Sequence, residues 1–117
     1  MNIKELRKET GLTQKEFAGK YGCSVSSVAN WEQDRYLPPA YYLEVLEQII
    51  KEGNRGFPPK RKSLKTVREK AKLSRPQFEE KYGVPVRTLE DWDAGRRSAP
   101  QYIEDALVWA VERDLKR

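Results

Sequence analysis

The sequence matches itself when it is shifted by 61 residues, and this repeat restricts the possible folds more than any other feature. The two halves share 13 identical residues without a gap, among them the triplet KYG at residues 20–22 and again at residues 81–83. Most of the identities are apolar residues, Gly or Pro, whose type is set by a fold. We therefore interpret the chain as two copies of one small unit, at residues 1–53 and 63–117.

Each copy carries helix signals at the same positions, so the predicted fold class is all-α. In the first copy, Gly11 and Gly22 are helix-stop residues. Thr13, with Glu16 three residues later, forms a capping box, and Ser24 can cap the helix that follows. The predicted helices are residues 3–10, 14–21, 25–33 and 39–52 in the first copy and 63–71, 75–82, 86–93 and 100–115 in the second.

Residues 54–62, NRGFPPKRK, separate the two copies and are typical of a linker, since they are rich in Gly, Pro and basic residues. Of the net charge of +5, residues 53–62 contribute +4, the first copy −1 and the second copy +2. A basic balance suits a nucleic-acid partner, although +5 alone is weak support. Four linker residues can follow a DNA backbone or enter a minor groove, and a solubilising spacer is an equal alternative. These residues are Arg55, Lys60, Arg61 and Lys62.

The composition excludes most kinds of catalytic site. The chain has no His, which removes Ser-His-Asp and Cys-His constellations and the usual zinc sites, and it has neither a Walker-type loop nor a GxGxxG motif. We predict that the protein is not an enzyme and holds no metal or cofactor. The single Cys23 agrees with a reducing compartment, and the chain lacks a signal-peptide core and an apolar run of the roughly 20 residues that cross a bilayer. We expect a cytoplasmic protein without membrane contact.

Two helices joined by a tight Gly-containing turn form a helix-turn-helix. The stretches LTQKEFAGKYGCSVSSVANWEQDRYLP and LSRPQFEEKYGVPVRTLEDWDAGRRSAP resemble the Cro/lambda-repressor (XRE-like) class of such domains. This resemblance implies double-stranded DNA as the partner, bound commonly by dimers, in repressors, phage regulators and antitoxins. It predicts two tandem small helical bundles, each with a helix-turn-helix, joined by a short basic linker. The residues that carry it are Leu12-Thr13-Gln14, Phe17, Tyr21-Gly22, Ser24-Val25, Val28, Trp31-Glu32 and Pro39, then Leu73-Ser74, Phe78, Tyr82-Gly83, Leu89, Trp92, Gly95 and Pro100.

In this class the residue that opens the second helix often contacts DNA, and that position holds Gln14 in the first copy and Arg75 in the second. The third helix of the first copy should expose a small neutral face, with Val28 and Trp31 directed into the core. Asn30 is the best base reader on that face, because its amide can pair with adenine through two hydrogen bonds. The predicted DNA-binding residues of the first copy are Gln14, Ser24, Val25, Ser26, Ser27, Asn30 and Arg35.

The third helix of the second copy presents Arg87, Glu90 and Asp91, and carboxylates are unexpected on a helix that approaches a polyanion. Three interpretations stay open: the carboxylates accept from cytosine N4, the helix has become a protein-contact surface, or it docks loosely while arginines hold the DNA backbone. The carboxylates can also form surface ion pairs with Arg87 or Arg75. The predicted DNA-binding residues of the second copy are Arg75, Arg87, Glu90, Asp91, Arg96 and Arg97.

The last helix of the second copy is apolar on more than one face, because Val108 and Trp109 replace Glu47 and Gln48 of the first copy. One face must fill the core of its own copy. The extra face predicts a contact either with the first copy or with another chain. The resemblance favours a homodimer, since members of the class often dimerise through their C-terminal helices.

Together these features predict a sequence-specific regulator of transcription, a repressor or autoregulator that occludes a promoter and reads major grooves with residues 25–33 and 86–93. Two joined units can read two half-sites of different sequence, about 10 bp apart or a multiple of that spacing. The main alternative is an antitoxin or phage-encoded inhibitor whose second domain binds a protein partner. A third is non-specific nucleic-acid binding through the linker.

Overall fold

The computed structural model describes residues 2–52 and 63–116, and within them the chain is entirely helical, which confirms the predicted all-α class. The first three helices of each copy have the same bounds after a shift of 61 residues, and only the last pair differs in length. The helices are α1 Ile3–Thr10, α2 Gln14–Tyr21, α3 Val25–Glu32, α4 Ala40–Lys51, α5 Leu64–Ala71, α6 Arg75–Tyr82, α7 Val86–Asp93 and α8 Gln101–Leu115.

Six of these helices are only 8 residues long, so their ends need side-chain or backbone caps. The predicted capping box is present: Thr13 accepts from the backbone of Glu16, and Glu16 accepts from the backbone of Thr13. Gly22 ends α2 in the left-handed conformation, with φ of 75°. Ser24 caps α3 as expected, by accepting from Ser27 N at 3.0 Å.

Three predicted helix starts are wrong by one residue, because Pro39, Ser63 and Pro100 are N-cap residues that precede α4, α5 and α8. Both prolines have an extended backbone, with ψ of 143° and 145°. Each is an N-cap residue whose carbonyl accepts from the first turn, as in the bond from Tyr42 N to Pro39 O at 3.0 Å. The predicted ends of α3 and α4 were each one residue late, since Gln33 and Glu52 are C-caps.

One hydrophobic core runs through both copies, which we call repeat 1 (residues 2–52) and repeat 2 (residues 63–116). The long helix α8 packs against α5 of its own repeat and also against α4 of repeat 1. Trp31, Tyr42 and Tyr102 form an aromatic cluster across this boundary, with ring centroids 5.0 to 5.9 Å apart. The second apolar face of α8 is therefore in contact with repeat 1.

The two repeats contact each other reciprocally through the glycines that end α2 and α6. A Cβ atom added to Gly22 would lie 3.3 Å from Asp105 Oδ2 in α8. A Cβ atom added to Gly83 would lie 3.2 Å from Tyr41 Cβ and 3.9 Å from Glu44 Oε2 in α4. Glu44 and Asp105 occupy the same position in the two repeats. The turn before each third helix thus rests on the last helix of the other repeat, as in a two-fold dimer built from one chain.

Arg113 of α8 joins the two repeats at the C-terminal end of α4. Its Nη1 donates to Gln48 Oε1 and to Glu52 Oε2 in α4, both at 2.7 Å, and its guanidinium lies 5.0 Å from the centre of the Trp109 ring. Val108 is buried and Trp109 is partly buried against the common core. Across residues 2–52 and 63–116, no helix has the length and hydropathy that crossing a membrane requires.

Candidate nucleic-acid interface

A partly buried ion pair holds α3 of repeat 1 against α1. Arg7 Nε donates to Glu32 Oε2 at 2.6 Å and Arg7 Nη2 donates to Glu32 Oε1 at 2.9 Å. The third guanidinium nitrogen donates to the carbonyl of Leu12 at 3.0 Å, which ties the pair to the start of α2. The Arg7 hydrogen bonds lower the pKa of Glu32, whose side chain is only 6% exposed. This pair thus joins α3 to α1 and to the start of α2.

Repeat 2 builds the same support from Arg68 and Asp93. Arg68 Nη2 lies 2.7 Å from both oxygens of Asp93, and Arg75 Nε donates to the same carboxylate at 3.1 Å. Burial raises the pKa of Asp93, but the hydrogen bonds from Arg68 and Arg75 lower it by a larger amount, so the net shift of the pKa is downward. The sequence reasoning assigned no role to Arg7 or Arg68. The signal was available, because the two arginines are identical in the 61-residue repeat.

The two predicted contact residues at the start of the second helices are both engaged with these acids. Gln14 Nε2 donates to Glu32 Oε1 at 3.3 Å, and Arg75 is bound to Asp93 as described above. Arg75 still has a side chain that is 45% exposed, so its remaining guanidinium nitrogens face solvent. In each repeat, the acid at the end of the third helix thus holds the side chain of the first residue of the second helix.

The outward face of α3 is small and uncharged. Val25 is 44% exposed and Ser26 is exposed, while Val28 and Trp31 are buried, as predicted. The hydroxyls of Ser24 and Ser27 are engaged in the cap: Ser24 Oγ donates to Ser27 Oγ at 2.9 Å and accepts from Ser27 N. Val25 and Ser26 are thus the exposed residues at the start of this face.

Asn30 is held by two neighbours beyond the end of α3. Its Nδ2 donates to the Tyr36 hydroxyl at 3.1 Å, and its Oδ1 accepts from Arg35 Nη1 at 3.4 Å. One N–H and one lone pair stay available, and these are the groups that an adenine edge requires. Tyr36, which is 53% exposed, was missed by the sequence reasoning. The signal was an aromatic residue in a polar loop next to the recognition helix.

The carboxylate of Asp91 has a different partner from those the sequence suggested. Arg96 Nε donates to Asp91 Oδ1 at 2.8 Å, whereas Arg75 is occupied by Asp93. Arg96 lowers the pKa of Asp91 through this hydrogen bond, and the charges of Arg87 and Arg97 act in the same direction. The alternative of an Asp91 ion pair with Arg87 or Arg75 is therefore replaced by a pair with Arg96. The chain after α7 folds back, and brings Arg96 to the carboxylate.

Three exposed arginines surround α7 of repeat 2. Arg87, Arg96 and Arg97 are all exposed around α7, and Glu90 and Asp91 are partly buried between them. In repeat 1 the corresponding region has one exposed cation, Arg35. The predicted linker residues Arg55, Lys60, Arg61 and Lys62 lie outside the described residues.

A cavity of about 280 Å³ lies between the repeats on the α7 side. Tyr41, Trp92, Tyr102 and Ile103 line it, together with Asp91 of α7. On the α3 side, Tyr42 stands where repeat 2 has Ile103, and its ring fills the corresponding space against Trp31 and Tyr102. The contact between the repeats is therefore filled on one side and open on the other.

Comparison with known proteins bears on repeat 1. Residues 3–51 match the family model described as Helix-turn-helix, which covers less than half of the chain and contains α1 to α4. No curated protein and no solved structure matches the chain. The match supports the resemblance to the Cro/lambda-repressor class, and with it a DNA-binding regulator of transcription of the XRE type with double-stranded DNA as partner. Residues 3–51 are thus similar to the helix-turn-helix family, whose members are typically not enzymes.

Proposed function

We propose that this protein is a sequence-specific transcriptional regulator, a repressor or autoregulator, that binds double-stranded DNA with α3 and α7 together. The observation that carries the proposal is the reciprocal contact of Gly22 with Asp105 and of Gly83 with Tyr41 and Glu44. A reciprocal contact of this kind supports a two-fold relation between the two third helices, which the binding of two half-sites requires.

The repeats act in this proposal as two halves of a dimer that are already joined. Engagement of one half-site by α3 brings α7 close to the neighbouring groove, so the second contact forms at a high effective concentration. Because α4 and α8 pack on each other, the spacing of the half-sites is set by the fold, at about 10 bp or a multiple. A homodimer is not required for two-groove binding, and it stays a prediction.

The two halves contribute differently to affinity and specificity. The neutral face around Asn30 offers hydrogen bonds to a base edge and little charge. The exposed Arg87, Arg96 and Arg97 offer phosphate contacts that depend on salt. The preferred site should therefore be composite, with a more selective half under α3 and a more tolerant half under α7. Occupying such a site within a promoter would block transcription.

Selection of duplexes from a random library with the full chain tests this proposal. We expect one enriched site with two unlike halves, and repetition with Asn30→Ala should relax only the half that α3 reads. The full chain is needed, since separating the repeats would expose the apolar surfaces of α4 and α8. Failure to enrich any duplex would contradict the proposal.

A second measurement distinguishes the main alternative, in which repeat 2 binds a protein. The double variant Arg96→Ala/Arg97→Ala should weaken binding to the selected duplex, whereas Lys116→Ala, a single exposed cation at the end of α8, should not. An enriched site with one half only, bound equally well by the double variant, would favour an antitoxin or inhibitor whose repeat 2 contacts a protein partner.

A further inference from the structure

Two hydrogen bonds join Asp91 and Arg96. Arg96 Nε donates to Asp91 Oδ1 at 2.8 Å, and the backbone N–H of Arg96 donates to the carbonyl of Asp91 at 2.9 Å. The carboxylate is enclosed, with its side chain 15% exposed, while the Arg96 side chain is 60% exposed. Within the described part of the chain, the two terminal Nη nitrogens of Arg96 make no hydrogen bond. They are thus free to donate outward.

This geometry gives the carboxylate of Asp91 a role other than direct contact with DNA: it can orient Arg96. A guanidinium held through Nε presents its Nη pair as a fork, which fits two acceptor atoms that lie side by side. On DNA, such a pair is either two phosphate oxygens or the O6 and N7 atoms of guanine. An unheld arginine at this exposed position would lose side-chain freedom on binding, and the acid reduces that loss.

We propose that Asp91 is a positioning residue, which holds Arg96 so that its Nη groups donate to DNA. The inference rests on the proposed function. Repeat 1 carries a weaker version of the same arrangement, because Asn30 Oδ1 accepts from Arg35 Nη1 at 3.4 Å and Arg35 N donates to Asn30 O at 3.0 Å. The acceptor side chain and the arginine five residues later therefore occur in both repeats, and repeat 2 has the charged, shorter bond.

The decisive observable is the sign of an affinity change. Removal of a carboxylate near a polyanion should strengthen binding if the charge acts alone. Removal of a positioning group should weaken it, because the arginine loses its fixed orientation. We expect Asp91→Ala to weaken binding of the full chain to its selected duplex by about tenfold, the scale of a charge-assisted hydrogen bond. The matched control is Glu80→Ala, which removes the same charge from an exposed position on α6 outside the predicted contacts and should leave binding unchanged or up to about threefold tighter.

A double-mutant cycle with Arg96 gives a readout that a merely structural role would not produce. Once Arg96→Ala has removed the guanidinium, Asp91 no longer holds a DNA-binding group. Asp91→Ala in that background should therefore leave the affinity for DNA unchanged or raise it. Asp91→Asn, which restores the acceptor of repeat 1, should bind within about threefold of the natural chain, since a neutral acceptor retains part of the bond. Fluorescence anisotropy with labelled duplex measures all of these variants, and thermal unfolding followed by circular dichroism checks that each is folded.

The outcomes separate the inference from the proposed function. If the natural chain binds no duplex selectively, the proposed function fails. If it binds and Asp91→Ala binds as tightly as Glu80→Ala, or weakens binding equally with and without Arg96, the inference is overturned. Swapping each base pair of the duplex assigns the acceptor: a loss that is uniform over all sequences indicates phosphate, and lost discrimination at one position indicates guanine.

Discussion

The third helices α3 and α7 have different outward faces, although the same kind of ion pair supports each of them. Repeat 1 and repeat 2 share the bounds of their first three helices and the arginine–carboxylate pair between the first and third helices. On the outward faces, Asn30 corresponds to Asp91, and Tyr36 corresponds to Arg97. Support positions are restricted by packing, whereas outward positions are restricted only by what they bind. Under the proposed function, the two copies keep one scaffold and contact different parts of a composite DNA site.

The two sides of the contact between the repeats also differ. Trp31 is 2% exposed and lies within the cluster with Tyr42 and Tyr102, while Trp92 is only partly buried beside an open cavity. Repeat 2 has Ile103 where repeat 1 has Tyr42, and this accounts for the difference. The isoleucine side chain is too small to reach both a Trp and a Tyr ring, as Tyr42 does with Trp31 and Tyr102. The two repeats are therefore packed against each other more tightly around α3 than around α7.

The largest expected effect concerns the supporting ion pairs. Arg7→Ala should lower the free energy of unfolding by about 3 kcal/mol, because it leaves Glu32 buried with only the neutral Gln14 as a side-chain donor. Arg68→Ala should cost about half as much, since Asp93 keeps Arg75 and is less buried. Urea unfolding of the two variants measures both values. Equal losses would show that Arg75 does not compensate.

The next largest effect tests the uneven contact between the repeats. Tyr42→Ile, which introduces the residue of repeat 2 into repeat 1, should lower the free energy of unfolding by about 2 kcal/mol through lost aromatic packing. The reverse change, Ile103→Tyr, should change it by less than about 1 kcal/mol, because the open cavity can accept a larger ring. Thermal unfolding compares the pair. A loss of similar size in both would mean that the cavity does not relax the packing.

The division between base reading and backbone contact is tested through DNA affinity and its salt dependence. Asn30→Ala should weaken binding by about 1–3 kcal/mol and relax preference at one base pair, with an unchanged slope of affinity against salt. Arg97→Ala should instead reduce that slope by about 1 and weaken binding to all sequences alike. Titrations at several salt concentrations distinguish the two. A reduced slope for Asn30→Ala would reverse the assignment of roles.

The smallest effect concerns Tyr36, which has no aromatic counterpart in repeat 2. Tyr36→Phe keeps the ring but removes the acceptor for Asn30 Nδ2, so the amide can rotate. We expect the discrimination at the base that Asn30 contacts to fall by about 0.5–1 kcal/mol. Comparison of affinities for the preferred duplex and one base-pair variant measures this change. The same loss in an Asn30→Ala background would mean that Tyr36 contacts DNA by itself.

Much of the scaffold could be predicted because its signals act over a few residues. The capping box at Thr13, the cap at Ser24 and the stop at Gly22 each depend on neighbours within one helical turn. The burial of Val28 and Trp31 follows from helical spacing in the same way. For the candidate site, the same reasoning identified which helix faces are exposed. It assigned Asp91 the wrong partners because helix spacing says nothing about a chain that turns back after the helix.

By itself, the sequence determined the repeat of 61 residues, the eight helices among the described residues, and the need of α8 to bury a second apolar face. It left open which surface would cover that face, because hydrophobic burial has no direction and accepts any apolar partner. Only the tertiary structure decided that α4 covers it, that each Gly-containing turn rests on the opposite repeat, and that Arg96 reaches Asp91. These choices depend on contacts between residues distant along the chain, or across a turn, whose geometry exists only once the helices are packed.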